Sequence, residues 1–261
     1  MSKNGQKVES DSTPPPAASS DSSKDELEAA IIIPTYNERE GILDQIKEIF
    51  KSLDKAGISG QVVIVDDNSP DGTWEFCESL KSQYNVDVLR RIDKRGLSSA
   101  VIDGFHRSQA PIKGVMDADG SHDASILPQM IRSIQQGECD LAIGSRYIPG
   151  GGTKDWPLKR IFISKFAIAL GRPLTKVRDI TSGFCLFKKE VIEGVELNPI
   201  GWKIVLEIII KGKHKKWKEF PYIFRDREKG QSKIGKGAVI DYIKHLVDLA
   251  KYMIKNKKKR V

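Results

Sequence analysis

The chain has little cysteine, little histidine and no long apolar run. Its three cysteines, Cys77, Cys139 and Cys185, lie far apart with no Cys-x-x-Cys spacing. That excludes a disulfide framework and a zinc cluster of the usual spacing, and it favours a reducing, cytosol-facing compartment. No stretch approaches the roughly 18 to 20 uncharged apolar residues that span a bilayer, and the N-terminus carries no apolar signal-peptide core. Neither a membrane span nor export by that route is expected. Of the four histidines, His106, His214 and His245 have no companion at metal-ligand spacing and read as ordinary surface or core residues.

Charge is plentiful but unevenly placed. The 261 residues carry 43 Lys plus Arg against 35 Asp plus Glu, a net charge of +8. From Lys203 to Val261 there are 18 basic and 6 acidic residues, so the first 202 residues are slightly acidic. A non-specific nucleic-acid binder would spread Lys and Arg over its contact faces, and the aromatic platforms and recognition helix of a sequence reader are missing. No nucleic-acid partner is expected. A local anionic partner is.

Residues 1–28 are rich in Ser, Asp, Lys and Pro, with the run Thr13-Pro14-Pro15-Pro16, and hold too few large apolar side chains to offset the entropy of ordering. They read as a disordered tail ahead of a catalytic domain over 29–237. Ala29–Ile33, Gln61–Val65, Val86–Arg90, Ile112–Met116 and Asp140–Gly144 are short apolar runs that predict strands. Glu38–Leu53, Gly72–Ser82, Leu97–Ser108 and Ser125–Gln136 carry helical spacing between them. Runs apolar on both faces belong to buried parallel strands. The alternation predicts an α/β fold, an open and mostly parallel sheet with helices on both faces, whose ligands bind beyond the carboxyl ends of the strands.

After Gly144 the pattern loosens. Leu158–Leu170 is strongly apolar with a basic N-terminal end, and suits a core helix and a helix lying among lipid headgroups equally well. Residues 238–261 form a C-terminal unit: Ala238–Lys255 reads as an amphipathic helix packed on the core, followed by a polybasic end with some attraction for anionic lipid.

The strand ends carry the chemistry. The first runs into Pro34-Thr35-Tyr36-Asn37-Glu38 and the second into Asp66-Asp67-Asn68-Ser69-Pro70-Asp71. A nucleotide could use such carboxylates and such an aromatic ring, although Asn37 and Asp71 equally suit turns and helix caps. The fourth ends in Asp117-Ala118-Asp119-Gly120-Ser121-His122. Carboxylates two residues apart on extended backbone point to one side, where they repel unless a cation sits between them. Mg2+ or Mn2+ bridging to a diphosphate is the natural occupant. His122 reads as a residue that orients this loop.

With PTYNE at 34–38, DDNSPDGT at 66–73, KRGLSSAVIDGF at 94–105, DADGSH at 117–122, GSRY at 144–147, WPLKR at 156–160, SGF at 182–184, NPIGWK at 198–203 and GQSKIG at 230–235, the chain resembles the family 2 glycosyltransferases of the GT-A (Rossmann-like) fold. More narrowly, it resembles their polyprenol-phosphate (dolichol-phosphate) mannosyltransferase branch. The resemblance implies inverting, metal-dependent transfer of mannose from GDP-mannose to dolichyl or another polyprenyl phosphate. It assigns Pro34, Tyr36, Glu38, Asp66, Asp67, Asp117, Ala118 and Asp119 to the donor, and Asp117, Asp119 and Ser121 to the metal. Arg146, Arg160, Ser164, Arg227 and Lys233 would receive phosphates, with Asp119, Arg146 and Arg227 the catalytic members. Some relatives append transmembrane helices. Here membrane contact is expected from surface helices or small anchoring subunits, in a peripheral protein on the cytoplasmic face of the endoplasmic reticulum or plasma membrane. A UDP-glucose-dependent enzyme of the same fold is the nearest alternative.

Overall fold

The computed structural model describes residues 26–154, 156–226 and 236–257. In chain order its elements are β1 (Ala29–Thr35), α1 (Ile42–Lys55), β2 (Gly60–Asp66), α2 (Thr73–Ser79), β3 (Val86–Arg90), α3 (Leu97–Arg107), β4 (Ile112–Val115), α4 (Leu127–Gln135), β5 (Leu141–Ser145), β6 (Gly152–Thr153), α5 (Leu158–Gly171), β7 (Cys185–Lys188), α6 (Ile204–Lys211), β8 (Trp217–Pro221), β9 (Ile223–Phe224) and α7 (Lys236–Lys257). Seven strands form one sheet in the order β3-β2-β1-β4-β7-β5-β8. All its pairings are parallel except those of β7, which runs antiparallel to β4 and β5.

The strand sequences explain the layers. Side chains alternate between sheet faces, and here both sets are apolar. Ile31, Ile33, Val62 and Ile64 meet Ile42, Ile46, Ile49 and Leu53 of α1 on one face. Ala30, Ile32, Val63 and Val65 pack on the other with Val101 and Phe105 of α3. Each such Ile or Leu contributes roughly 1.5 to 3 kcal/mol by leaving water. Gly104 lets α3 approach closely: a Cβ there would lie 2.5 Å from Ile32 Cγ2.

The five predicted strands are all present, within two residues at each end. α1 starts at Ile42 rather than at Glu38, because residues 37–39 hydrogen-bond to the β2 loop instead of forming a first helical turn. The predicted tail extends too far: the Glu28 N–H donates to Ser59 O, and its carboxylate accepts the Ser59 N–H, so Glu28 already belongs to the fold. Residues 1–25 and the polybasic run from Lys258 lie outside the described residues.

α7 differs from the helix expected to pack on the core, and α5, for which the sequence leaves a core and a surface role equally open, is largely exposed. Tyr242, His245, Leu246 and Leu249 of α7 are buried, but Val239, Ile240, Ile243 and Val247 are exposed. On α5, Leu158, Phe162 and Phe166 are 84%, 73% and 58% exposed. Both helices sit at the margin of the fold and back onto one another, with Tyr242 Oη donating to Ala167 O. Each therefore buries only one stripe. Among the described residues no helix is long and apolar enough to cross a membrane.

Candidate functional site

The carboxyl ends of β1, β2 and β4 open onto one cavity of about 740 Å3. Its wall joins Pro34, Tyr36 and Glu38 after β1, Asp67 after β2, and Asp117, Ala118 and Asp119 after β4. The same cavity is also lined by Arg146, Arg160, Ser164 and Lys203. The depression at the strand ends, expected for a parallel sheet, is thus made of residues far apart in sequence.

At the β1 end the backbone is fixed from the side. Asn37 adopts φ +57°, a left-handed conformation that Asn tolerates better than most residues. The N–H groups of Asn37, Glu38 and Arg39 donate to Ser69 Oγ (3.0 Å), Thr73 Oγ1 (3.1 Å) and Asp71 Oδ2 (3.2 Å). Asp71 Oδ1 also accepts the Thr73 N–H at 3.0 Å, ahead of α2. Asn37 and Asp71 thus perform the turn and capping duties open to them from sequence.

The two carboxylates after β2 divide their work. Asp66 is fully buried, is not part of the cavity wall, and accepts from Thr35 Oγ1, Ser69 N and Ser69 Oγ at 2.6 to 2.7 Å. It holds the loop rather than facing a ligand. Asp67 lines the cavity, accepting from the Arg91 guanidinium on Oδ1 and from the Gly96 N–H on Oδ2 at 2.8 Å. The next residue back, Arg95, places its guanidinium 5.3 Å from the centre of the Tyr36 ring, within cation–π range.

After β4, Asp117 and Asp119 both face the cavity. The Asp117 N–H donates to His122 Nδ1 at 3.1 Å, which puts the hydrogen of the neutral ring on Nε2, 3.7 Å from Asp117 Oδ2. His122 stacks on Phe184 with ring centres 5.2 Å apart. Burial pushes it below the ordinary imidazole range, against the pull of Asp117 and Asp119. With one nitrogen accepting and the other protonated, it orients the loop and has no lone pair left for a metal.

The donor set here fits a hard divalent cation. Two carboxylates face one space, and Asp119 Oδ1 is positioned by the Ser121 N–H at 3.1 Å. Gly183 lies directly against the Asp117 carboxylate: a Cβ there would make ordinary contact with Asp117 Oδ2, at 3.5 Å. The described residues contain no group of three His, Cys, Asp or Glu able to hold an ion by themselves. Phosphate oxygens and water would complete the shell, as is usual for Mg2+. The Ser121 hydroxyl is buried off the cavity wall, with no hydrogen-bond partner among the described residues. Its backbone, rather than its hydroxyl, touches the site.

The basic side holds one surprise. Arg146 reaches the cavity, but its guanidinium is committed to Asp179: Nε to Oδ2 at 2.7 Å and Nη2 to Oδ1 at 2.8 Å, with Nη2 also 2.8 Å from Thr181 Oγ1. Burial works against both charges. The bonds between them prevail, so Arg146 holds its proton more tightly than usual and Asp179 lies below the ordinary carboxylate range. Arg160 pairs with Asp226 at 2.7 Å and stands 4.0 Å from the Trp156 ring centre. Ser164 Oγ accepts from Tyr147 Oη at 2.8 Å.

Residues 30–195 match the family described as glycosyl transferase family 2. A dolichol-phosphate mannosyltransferase of Saccharomyces cerevisiae is 34% identical over 234 residues, 85% of this chain and 87% of that protein. The chain belongs to glycosyl transferase family 2. Within the family it stands with the dolichol-phosphate mannosyltransferases. One from Pyrococcus furiosus is 47% identical over 232 residues, 87% of this chain, although the match spans only 64% of the length of that relative. A mannosyltransferase from Pyrobaculum calidifontis, solved with GDP-Man and Mn2+, has the same GT-A fold at a TM-score of 0.59 and 18% identity, covering 89% of this chain and 66% of that one.

Against this family frame, the structure brings Pro34, Tyr36, Glu38, Asp67, Asp117, Ala118, Asp119, Arg146, Arg160 and Ser164 to one wall, and sets Asp66 and Ser121 behind it. Arg227 and Lys233 lie outside the described residues. Sequence reasoning missed Asp179 and Lys203. Lys203 ends the quoted NPIGWK motif, so a signal was present, but nothing local says that its ammonium reaches the cavity.

Proposed function

We propose that the chain transfers mannose from GDP-mannose to dolichyl or another polyprenyl phosphate, with inversion, releasing GDP at a membrane surface. The observation that carries this is one cavity lined by the Asp117 and Asp119 carboxylates together with Arg146 and Arg160, with an exposed apolar helix beside it. The relatives named dolichol-phosphate mannosyltransferase support the same substrates.

A polyprenyl phosphate is already an anionic nucleophile at pH 7, so activation by a general base is unnecessary. What remains is alignment of the phosphate with the sugar carbon, and electrostatic relief of the departing diphosphate. A Mg2+ or Mn2+ ion held by Asp117 and Asp119 would offset charge on that diphosphate. Pro34, Tyr36, Glu38 and Asp67 would hold the nucleoside, on a loop that Asp66 and Ser69 keep rigid. Arg160 and Ser164 face the acceptor phosphate. Arg146, neutralised by Asp179, shapes the cavity wall. His122 keeps the β4 loop in register and takes no proton.

α5 links the site to lipid. Ile163, Ser164 and Ala167 line the cavity, whereas Leu158, Phe162 and Phe166 point to the outside. A prenyl chain leaving the phosphate site therefore runs directly onto an apolar surface, suited to the interfacial zone of a bilayer at the cytoplasmic face.

Radiolabelled GDP-mannose and UDP-glucose, supplied in parallel with dolichyl phosphate and Mn2+, test the chemistry. Label should enter lipid from GDP-mannose; incorporation from UDP-glucose alone would replace the mannose assignment. Vesicle flotation tests the surface. Replacing both Phe162 and Phe166 with Asp should weaken vesicle binding at least about 10-fold, since each Phe buried in lipid contributes roughly 1.5 to 3 kcal/mol. Unchanged flotation would remove α5 from the membrane contact.

A further inference from the structure

We infer that Lys203 is an additional phosphate-binding cation of this cavity. The inference rests on the transferase reading for the identity of the ligand, but its geometric basis is independent of it. Among the cations that line the cavity, Arg146 is paired with Asp179 and Arg160 with Asp226. Lys203 also lines the cavity, and among the described residues it has no carboxylate partner. Its Nζ donates to a neutral acceptor, the carbonyl oxygen of Thr181, at 3.0 Å. Thr181 itself lies on the cavity wall, two residues from Asp179 and beside the Arg146 guanidinium.

An ammonium in that position is costly without an anion. Burial withdraws it from water and Arg146 repels it, which together lower its proton affinity to about 8; Asp179 and Asp117 only partly oppose them. Asp179 is already spent on Arg146, and Asp117 acts on Lys203 through space, with no hydrogen bond or ion pair between the two. An arriving phosphate oxygen supplies the missing countercharge at short range, inside a cavity where each such contact is stronger than in water. One carbonyl bond uses one of the three ammonium hydrogens, leaving donors for the ligand. Lysine suits this place because a point charge on a flexible stem follows a phosphate from ground state to product, whereas the two arginines are held by their carboxylates.

The ligand is a phosphate oxyanion, which the donor diphosphate and the acceptor monophosphate both provide. Calorimetric titrations of the full chain with GDP plus Mn2+, and with a short-chain polyprenyl phosphate in detergent, separate the two. Lys203→Gln should weaken one of these bindings by about 10- to 100-fold, the loss expected for a charge-assisted hydrogen bond. Lys203→Arg should restore most of it. A loss confined to GDP assigns Lys203 to the leaving diphosphate, and a loss confined to the lipid phosphate assigns it to the nucleophile. Affinities within about 3-fold of wild type for both ligands, in a variant that melts normally, would overturn the inference. So would failure of both Lys203→Gln and Lys203→Met to fold, which would mark a structural cation, and so would absence of binding by the wild-type chain to either ligand. Mannose transfer by the wild type is measured alongside. Its absence would sink the transferase reading, while the binding data would still decide the role of Lys203.

Discussion

Replacing Asp119 with alanine should reduce mannose transfer by about 1,000-fold, the upper end of what loss of one preorganised electrostatic group costs. The fold should survive, because Asp119 lies on the cavity wall rather than in either apolar layer. Its carboxylate is aimed by the Ser121 N–H and stands two residues from Asp117 on the same loop. In the proposed site, removing it would take away one of the two carboxylates that would hold a divalent ion beside the donor diphosphate, and would leave only Asp117 of that pair. Two measurements check this. Steady-state transfer should collapse at saturating substrate, and titration with Mn2+ should show the ion bound more weakly than by the wild type. Activity within about 3-fold of wild type would show that the diphosphate is neutralised elsewhere, and would shift attention to the arginines.

Asp179→Ala should be the most destabilising single change near the site, by about 3 to 5 kcal/mol. Asp179 is fully buried and receives three bonds from Arg146: from its backbone N–H at 3.0 Å, from Nε at 2.7 Å and from Nη2 at 2.8 Å. Deleting the carboxylate abandons a buried guanidinium, which is far worse than never having had the pair. For a chain of this size the melting temperature should fall by about 6 to 20 °C. A double change, Arg146→Met with Asp179→Leu, removes both charges and should recover much of that stability, yet transfer should remain impaired because the cavity wall has lost its shape. Full stability in Asp179→Ala would mean that water reaches Arg146 and that the pair contributes little. The pH dependence has a defined sign. Asp179 sits below the ordinary carboxylate range in the fold, so its contribution is complete above about pH 4 and is lost as the pH falls further.

These two residues differ in how visible they are from sequence. Asp119 stands out because Asp-x-Asp follows an apolar run, and a strand end is where a parallel sheet exposes its ligands. Asp179 lies between Arg178 and Ile180 in a stretch without clear period, and its partner is 33 residues away. The same distinction separates Asp66 from Asp67. Adjacent carboxylates on a strand end look equivalent until packing turns one towards Thr35 and Ser69 and the other towards the cavity. α5 and α7 show the limit from another direction. Their apolar content was legible, but the side that finds a partner depends on which elements reach the margin of the sheet.

Sequence alone determined the βαβ frame from Ala29 to Ser145, the two-sided apolar strands, and the positions where polar loops must follow them. Those features arise from near neighbours, through periods of two and 3.6 residues, and they hold wherever the segment lies. The tertiary structure decided which charges meet. Insertion of antiparallel β7 between β4 and β5 brings residues 181–183 beside the Asp117 carboxylate, spends Arg146 on Asp179, and leaves Lys203 without a carboxylate partner among the described residues. Electrostatic pairing acts over a few ångströms in space regardless of separation along the chain, so strand order rather than local pattern selects the partners.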